Sequence, residues 1–192
     1  METTSVSLMD RLRRTDDAAA WQRLVAIYQP WLRAWLCAHI LQPADVDDLV
    51  QDVLAILLRE LPDFQHNGRK GAFRAWLRGT LSNRLRDFRR QKPGLTLANG
   101  GDEWSLDQLA DDRSELSIQW DREHDQNVVN RLLLLIAADF EARTWQAFRA
   151  FVMEGRPAAD VAADLGMSVG AVWSAKSHVL KRLRQEATEL LD

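Results

Sequence analysis

Apolar residues recur every three or four positions along most of this chain, which is the period of an α-helix. Alternation typical of strands is scarce, and glycine and proline fall at the boundaries of the periodic stretches. The pattern predicts a first helix that is capped by Asp16 or Asp17 and ends before a break at Gln42-Pro43. It predicts two more helices over about 45–61 and 72–91, and a second helical group from about residue 127. We therefore predict an all-α protein with two small helical domains.

The segment between the two helical groups differs in composition. It contains Gly94 and Gly100-Gly101, and from residue 93 to residue 130 it holds nine acids against two bases. Its apolar residues follow no sustained period, which is typical of a linker with short helical pieces at most. We therefore predict a domain over 1–92, an acidic linker over 93–126 and a second domain over 127–192.

The second domain ends in a predicted helix-turn-helix. Pro157 suits the first turn of a helix, where its missing N–H costs nothing. Gly166 can adopt the left-handed conformation that ends this helix, and Ser168 is a natural N-cap for the next one. The short turn between the two helices is typical of the motif.

The second helix of this motif has an apolar side and a polar side. The polar side carries small residues, hydroxyls and bases, and the stretch from Ser168 to Arg184 contains four bases and no acid. Such a surface can enter the major groove, although an ordinary amphipathic helix with a solvated face would share the pattern. Trp173 is compatible with partial core packing or with a DNA-facing position, and His178 has no second ligand at metal spacing.

The third helix carries a strong positive charge. Nine basic residues and one acidic residue lie in the range from Arg69 to Lys92. Trp76 is expected on the charged side, opposite the apolar stripe that begins at Phe73. Stacking of Trp76 on an unpaired base beside arginines that follow the phosphates is one interpretation. The alternatives are that Trp76 packs under a neighbouring helix and that the arginines only make the protein soluble.

The predicted helix over about 45–61 carries an acidic side. Asp48, Gln51 and Asp52 lie opposite its apolar stripe, and Asp45 lies in its first turn. The helix dipole explains acids in a first turn, whereas a docking surface for a basic partner explains the whole side. No nucleophile, metal-ligand cluster or phosphate loop accompanies these carboxylates, so we predict that the chain is not an enzyme and takes no metal or cofactor.

Three segments, in this order and at this spacing, resemble a bacterial sigma factor of the extracytoplasmic-function group. The run 45–53 is similar to region 2.2 of that family. The run 73–77, with Asn83 and the stretch 87–90, is similar to region 2.3–2.4, and 155–183 is similar to region 4.2.

This resemblance implies a role for each surface. The clamp coiled coil of core RNA polymerase would be bound by Asp45, Asp48, Gln51 and Asp52. The −10 element, opened to single strands with a base captured by the loop 65–70, would be bound by Arg69, Lys70, Arg74, Trp76, Asn83, Arg86 and Arg90. The duplex −35 element would be bound by Ser168, Gly170, Trp173, Ser174, Ser177, His178, Lys181 and Arg184. The acidic linker would thread through the polymerase, and the polymerase flap is a further expected contact.

The expected partners are therefore core RNA polymerase and promoter DNA, and the resemblance leaves open whether an anti-sigma factor also binds. No apolar run is long enough to cross a bilayer and the start of the chain lacks a signal-peptide pattern, so we expect a cytoplasmic protein. Two rivals remain: an operator-binding regulator, which would need a ligand or receiver domain, and an adaptor that uses only the acidic helix.

Overall fold

The computed structural model describes residues 8–13, 17–39, 43–65, 67, 69, 71–91, 108–188 and 190–191. Regular structure in these ranges is helical throughout, which confirms the predicted all-α class. The α-helices are α1 (Leu8–Leu12), α2 (Ala18–His39), α3 (Pro43–Glu60), α4 (Ala72–Gln91), α5 (Glu115–Ile136), α6 (Ala142–Phe148), α7 (Ala158–Leu165) and α8 (Val169–Ala187). Short 3₁₀ turns follow α3 and α5, and a π-helical turn over Arg149–Met153 follows α6.

The described residues fall into two compact units. The N-terminal unit contains residues 8–128 together with the last few residues from Thr188, and the C-terminal unit contains residues 129–187. Lys70 and the stretch 92–107, which includes the first part of the predicted linker, lie outside the described residues.

The second part of the predicted linker is folded. Residues 108–110 are helical, α5 begins at Glu115, and both belong to the N-terminal unit as far as Val128. The buried side of this stretch includes Ser117, Trp120 and His124. These three residues are spaced at helical intervals, but two of them are polar types, so they do not form an apolar stripe that the sequence would reveal.

The core of the N-terminal unit follows the predicted helix periods. The residues predicted on the apolar side of the helix over about 45–61 are all buried: Val46, Leu49, Val50, Val53, Leu57 and Leu61. The apolar stripe of α4 is buried as well: Phe73, Leu77, Leu81, Leu85 and Phe88. The predicted cap of α2 is also present, because Asp17 Oδ1 accepts a hydrogen bond from the Ala20 N–H at 2.9 Å. Helix α1 was not predicted, since five residues are too few to show a period, yet Leu8, Met9 and Leu12 are fully buried.

The C-terminal unit contains the predicted helix-turn-helix. Gly166 adopts the left-handed conformation (φ 58°), and the N–H groups of Gly166 and Met167 bond back to the carbonyls of Ala163 and Ala162. This arrangement satisfies the last carbonyls of α7 and sets the turn. Ser168 then caps α8, because its Oγ accepts a hydrogen bond from the Ala171 N–H at 3.1 Å. Pro157 is the N-cap of α7, one position before the first turn in which the sequence predicted it.

Small side chains hold the two helices of this motif against α6. The core here consists of Ala147, Ala150, Val161, Ala162, Val172 and Ala175. Arg143 on α6 also donates hydrogen bonds to the carbonyl oxygens of Leu165 and Gly166, where α7 ends. The motif is therefore a packed unit in which α8 has one side buried and the opposite side exposed.

Candidate polymerase and DNA interfaces

The acidic side of α3 is a continuous exposed surface. Asp48, Gln51 and Asp52 are exposed, whereas Asp45 is partly buried. The residues that the structure describes offer Asp48, Gln51 and Asp52 no hydrogen-bond or ion-pair partner. Leu58, a large apolar residue that is 56 % exposed, lies further along the same helix. The geometry thus presents unpaired carboxylates to a partner, which a helix-dipole effect in the first turn does not require.

The exposed part of α4 lies toward its C-terminal end. Asn83 and Arg90 are exposed and Arg86 is partly buried, with Arg86 Nη1 3.5 Å from Asn83 Oδ1. The single acid of this helix, Asp87, pairs with both Arg84 and Arg90. Within this end of α4, one carboxylate is set against four arginines, Arg84, Arg86, Arg89 and Arg90, so the helix end keeps a net positive charge.

Trp76 is neither fully exposed, as stacking on an unpaired base would favour, nor fully buried, as packing under a neighbouring helix would favour. Its side chain is partly buried, and its ring lies 5.3 Å from that of Phe64 and 5.7 Å from that of Phe73. Phe64 follows the 3₁₀ turn after α3, so this ring contact comes from the connection between α3 and the loop. In that loop Arg69 is exposed, and its N–H is held by Asn67 Oδ1 at 2.9 Å.

Two arginines of α4 face the protein interior instead of solvent. Arg78 is only 4 % exposed and donates to Asp121 Oδ1 at 2.6 Å and to Asp112. Arg74 pairs with Asp125 and lies 3.3 Å from Asp121 Oδ2. These ion pairs connect α4 to the start of α5, so Arg74 does not belong with the exposed bases predicted at the −10 surface. They also show that three acids of the predicted linker neutralise arginines of the same unit.

A buried histidine extends this network. His124 is fully buried, with Nε2 3.0 Å from the Tyr28 hydroxyl and Nδ1 3.0 Å from Asp125 Oδ1. Burial lowers the pKa of His124, while burial and then Asp125 raise the pKa of Tyr28 well above its usual range. Burial alone would raise the pKa of Asp125, but hydrogen bonds from His124 and Arg74 lower it. A neutral His124 with its proton on Nδ1 satisfies both contacts.

This network predicts a pH-dependent stability. Because the folded-state pKa of His124 lies below its unfolded value of about 6.5, the unfolded chain binds the additional proton as the pH falls. The stability contributed by neutral His124 is therefore present above about pH 6.5 and lost as the pH falls through the folded-state pKa. Thermal unfolding at pH 7 and pH 5 should show this loss, and His124→Gln should reduce it.

His178→Gln is the matched control, because His178 is exposed on α8. It should retain the pH dependence of the unmodified chain. An equal loss of stability in His124→Gln and in the unmodified chain would show that the buried histidine does not cause it.

The predicted −35 residues share one exposed surface on α8 and its cap. Ser168, Gly170, Trp173, Ser174, Ser177, His178, Lys181 and Arg184 are all exposed. The hydroxyls of Ser174 and Ser177 donate to the carbonyl oxygens of Gly170 and Trp173, each at 3.0 Å. We name this set the α8 face. It brings together every residue that the sequence predicts for duplex binding.

Sequence reasoning missed the residues that pack α5 against α2 and α4. Arg78, His124 and Trp120 received no role, because their partners lie far away in the chain: Arg78 contacts Asp121, and Trp120 packs on Trp31 and Trp35 at centroid distances of 4.5 and 4.7 Å. One signal was present, namely acids at helical spacing in the segment that holds Asp121 and Asp125.

A comparison with known protein families supports part of the resemblance to a sigma factor that the sequence indicated. Residues 24–93 match the Sigma-70 region 2 family. The matched segment contains the acidic side of α3 and the whole of α4, and it ends before α5. It therefore supports a sigma factor, a kind of protein that binds RNA polymerase and takes part in promoter melting. No curated protein matches the chain significantly. Within the described residues, no helix is both long enough and apolar enough to span a membrane.

Proposed function

We propose that this chain is a sigma factor of the extracytoplasmic-function group, which binds core RNA polymerase and directs it to a class of promoters without catalysing a reaction itself. One observation carries the proposal. The segment that matches Sigma-70 region 2 has an exposed acidic surface on α3 and an exposed basic surface on α4, and a helix-turn-helix follows in the same chain. A polymerase-binding surface, a melting surface and a duplex-binding surface are the three that promoter recognition requires.

The acidic side of α3 is the proposed polymerase contact, with the clamp coiled coil as its partner. Unpaired carboxylates at Asp48 and Asp52, next to the amide of Gln51, complement a basic helix pair. Leu58 adds an exposed apolar group, and interfaces commonly bury such a group among polar contacts. The C-terminal unit would contact the flap.

The −10 contact is proposed for Trp76, Asn83, Arg86 and Arg90, with Arg69 in the loop before α4. A base extruded from the duplex requires an unstacking energy of a few kcal/mol, which stacking on an aromatic ring offsets. Trp76 offers such a ring, already oriented by Phe64. Arg74 is assigned a different role in this proposal, since its charge pairs with Asp121 and Asp125 and thereby positions α5 on α4.

The −35 contact is proposed for the α8 face. The N-terminal part of such a helix contacts base edges and its flanks contact phosphates. The absence of acids from Ser168 to Arg184 favours binding to a polyanion, although the whole chain has a net charge of −3.

One substitution tests the phosphate contacts. Lys181→Ala should weaken duplex binding at every sequence and reduce the slope of log affinity against log salt by about one unit, because one counterion is no longer released. Fluorescence anisotropy over a salt series measures this slope. Ser177→Ala is a control on the same face, and it should leave the slope unchanged; a slope that is unaltered in Lys181→Ala would argue against a phosphate role.

The rival functions explain fewer surfaces. An operator-binding regulator that acts without polymerase leaves the acidic side of α3 without a partner, and an adaptor leaves the α8 face without one. Run-off transcription with purified core polymerase on a pool of promoter fragments separates the three. We expect transcripts from a subset of fragments only when the chain is added. Duplex binding without transcripts would favour the regulator. The absence of both duplex binding and transcripts would favour the adaptor.

A further inference from the structure

Trp173 is the largest side chain on the α8 face, and it lies where that helix begins. Helix α8 starts at Val169, so Trp173 is in its second turn, from which recognition helices contact base edges. The residue remains 49 % exposed. Gly170, one turn earlier, has no side chain, and the position that a Cβ would occupy there has only Ser168 Oγ within 4 Å. A base edge can therefore approach the indole closely.

The exposed indole is held in place by two neighbours from the same unit. Phe151 packs against it edge to face, with ring centroids 4.7 Å apart, and Lys176 Nζ lies 5.1 Å from the centroid of the Trp173 ring. Lys176 also lies 5.5 Å from the Phe151 ring, so the cation is near both rings. A side chain that is already ordered loses little rotamer entropy when a ligand binds.

Trp173 is the large apolar side chain among the residues of the α8 face, and Val169, which is 44 % exposed, lies one turn before it. Ser174 and Ser177 donate their protons to backbone carbonyls within α8, which leaves only acceptor capacity on those oxygens. Apart from its Nε1–H donor, the exposed indole offers a base an extended apolar ring surface. In the major groove, the group that selects for apolar contact is the 5-methyl of thymine.

We propose that Trp173 is a specificity-determining residue that recognises the 5-methyl group of one thymine in the duplex bound by the α8 face. The inference rests on the proposed duplex recognition and deepens it by naming the base and the chemical group that is read. The proposal requires a major-groove site in which a thymine lies opposite the start of α8. Phosphates must also lie within reach of the basic side chains further along the helix.

The test compares thymine with deoxyuridine, which lacks only the 5-methyl group. Duplexes that the whole chain binds are selected from a random pool, and each thymine of the selected site is then replaced singly. Burial of one methyl group is worth about 0.8 kcal/mol, so we expect about a fourfold loss of affinity at one position and little change at the others. Trp173→Ala should weaken binding to the thymine duplex and no longer distinguish it from the deoxyuridine duplex.

Met153→Ala is the matched control, because Met153 is 54 % exposed in the same unit but lies off α8. It should keep the fourfold discrimination. Selected duplexes with no deoxyuridine effect at any position would overturn this inference and leave duplex recognition standing. A deoxyuridine effect that persists in Trp173→Ala would assign the reading to another residue, and would also overturn it. Failure to select any duplex would overturn the proposed −35 function together with the inference. The comparison of thymine with deoxyuridine uses the unmodified chain, so it tests the proposal even if Trp173→Ala does not fold.

Discussion

Replacing Asp48 and Asp52 with arginine should abolish binding of the chain to core RNA polymerase while leaving the fold intact. Both side chains are exposed on α3 and have no ion-pair partner among the described residues, so their loss should change the free energy of unfolding by no more than about 0.5 kcal/mol. Two like charges placed against a basic surface cost several kcal/mol, and each 1.4 kcal/mol is tenfold in affinity. We expect a loss of at least about a hundredfold, measured by co-purification and by titration of labelled chain.

A second double variant controls for the change in net charge. Asp63 and Glu115 are also exposed acids of the N-terminal unit, and their exchange for arginine alters the charge by the same amount away from the acidic side of α3. This control should bind polymerase as the unmodified chain does. Undiminished co-purification of the Asp48/Asp52 variant would show that α3 does not dock on the polymerase.

Trp120→Ala should destabilise the N-terminal unit by about 3–5 kcal/mol, which is a large part of the total stability of a small domain. Trp120 is fully buried, and its ring contacts those of Trp31 and Trp35. Removing it leaves a cavity between α2 and α5 that the neighbouring rings can fill only in part. Urea denaturation followed by circular dichroism measures the change.

Ile118→Ala is the matched control on the same helix, since Ile118 is 50 % exposed. Its effect should stay within about 0.5 kcal/mol. If Trp120→Ala cost no more than Ile118→Ala, residues 115–128 would not be part of the core of this unit. The expected result also means that a chain ending at residue 92 loses core contacts, although the match to Sigma-70 region 2 ends at residue 93.

Local patterns predicted the helices of both units well. The expected helix over about 72–91 is α4, the buried stripe that begins at Phe73 is present, and Gly166 and Ser168 end and begin the helices on either side of the turn. Caps, periods and left-handed glycines depend on residues within about one helical turn, so the sequence contains the whole of this information. The exposure of the α8 face follows from the same periodicity.

The all-α class, the helix-turn-helix and the positions of the acidic and basic helices follow from the sequence alone. Which charges remain available to a partner depends on the tertiary structure. It pairs Arg74 and Arg78 with acids of α5, covers part of Trp76 with Phe64 and orders Trp173 against Phe151. Residue spacing within a helix indicates on which side of the helix a residue lies. Burial and ion pairing depend on other elements, which can lie more than forty residues away in the chain, as Asp121 lies from Arg78.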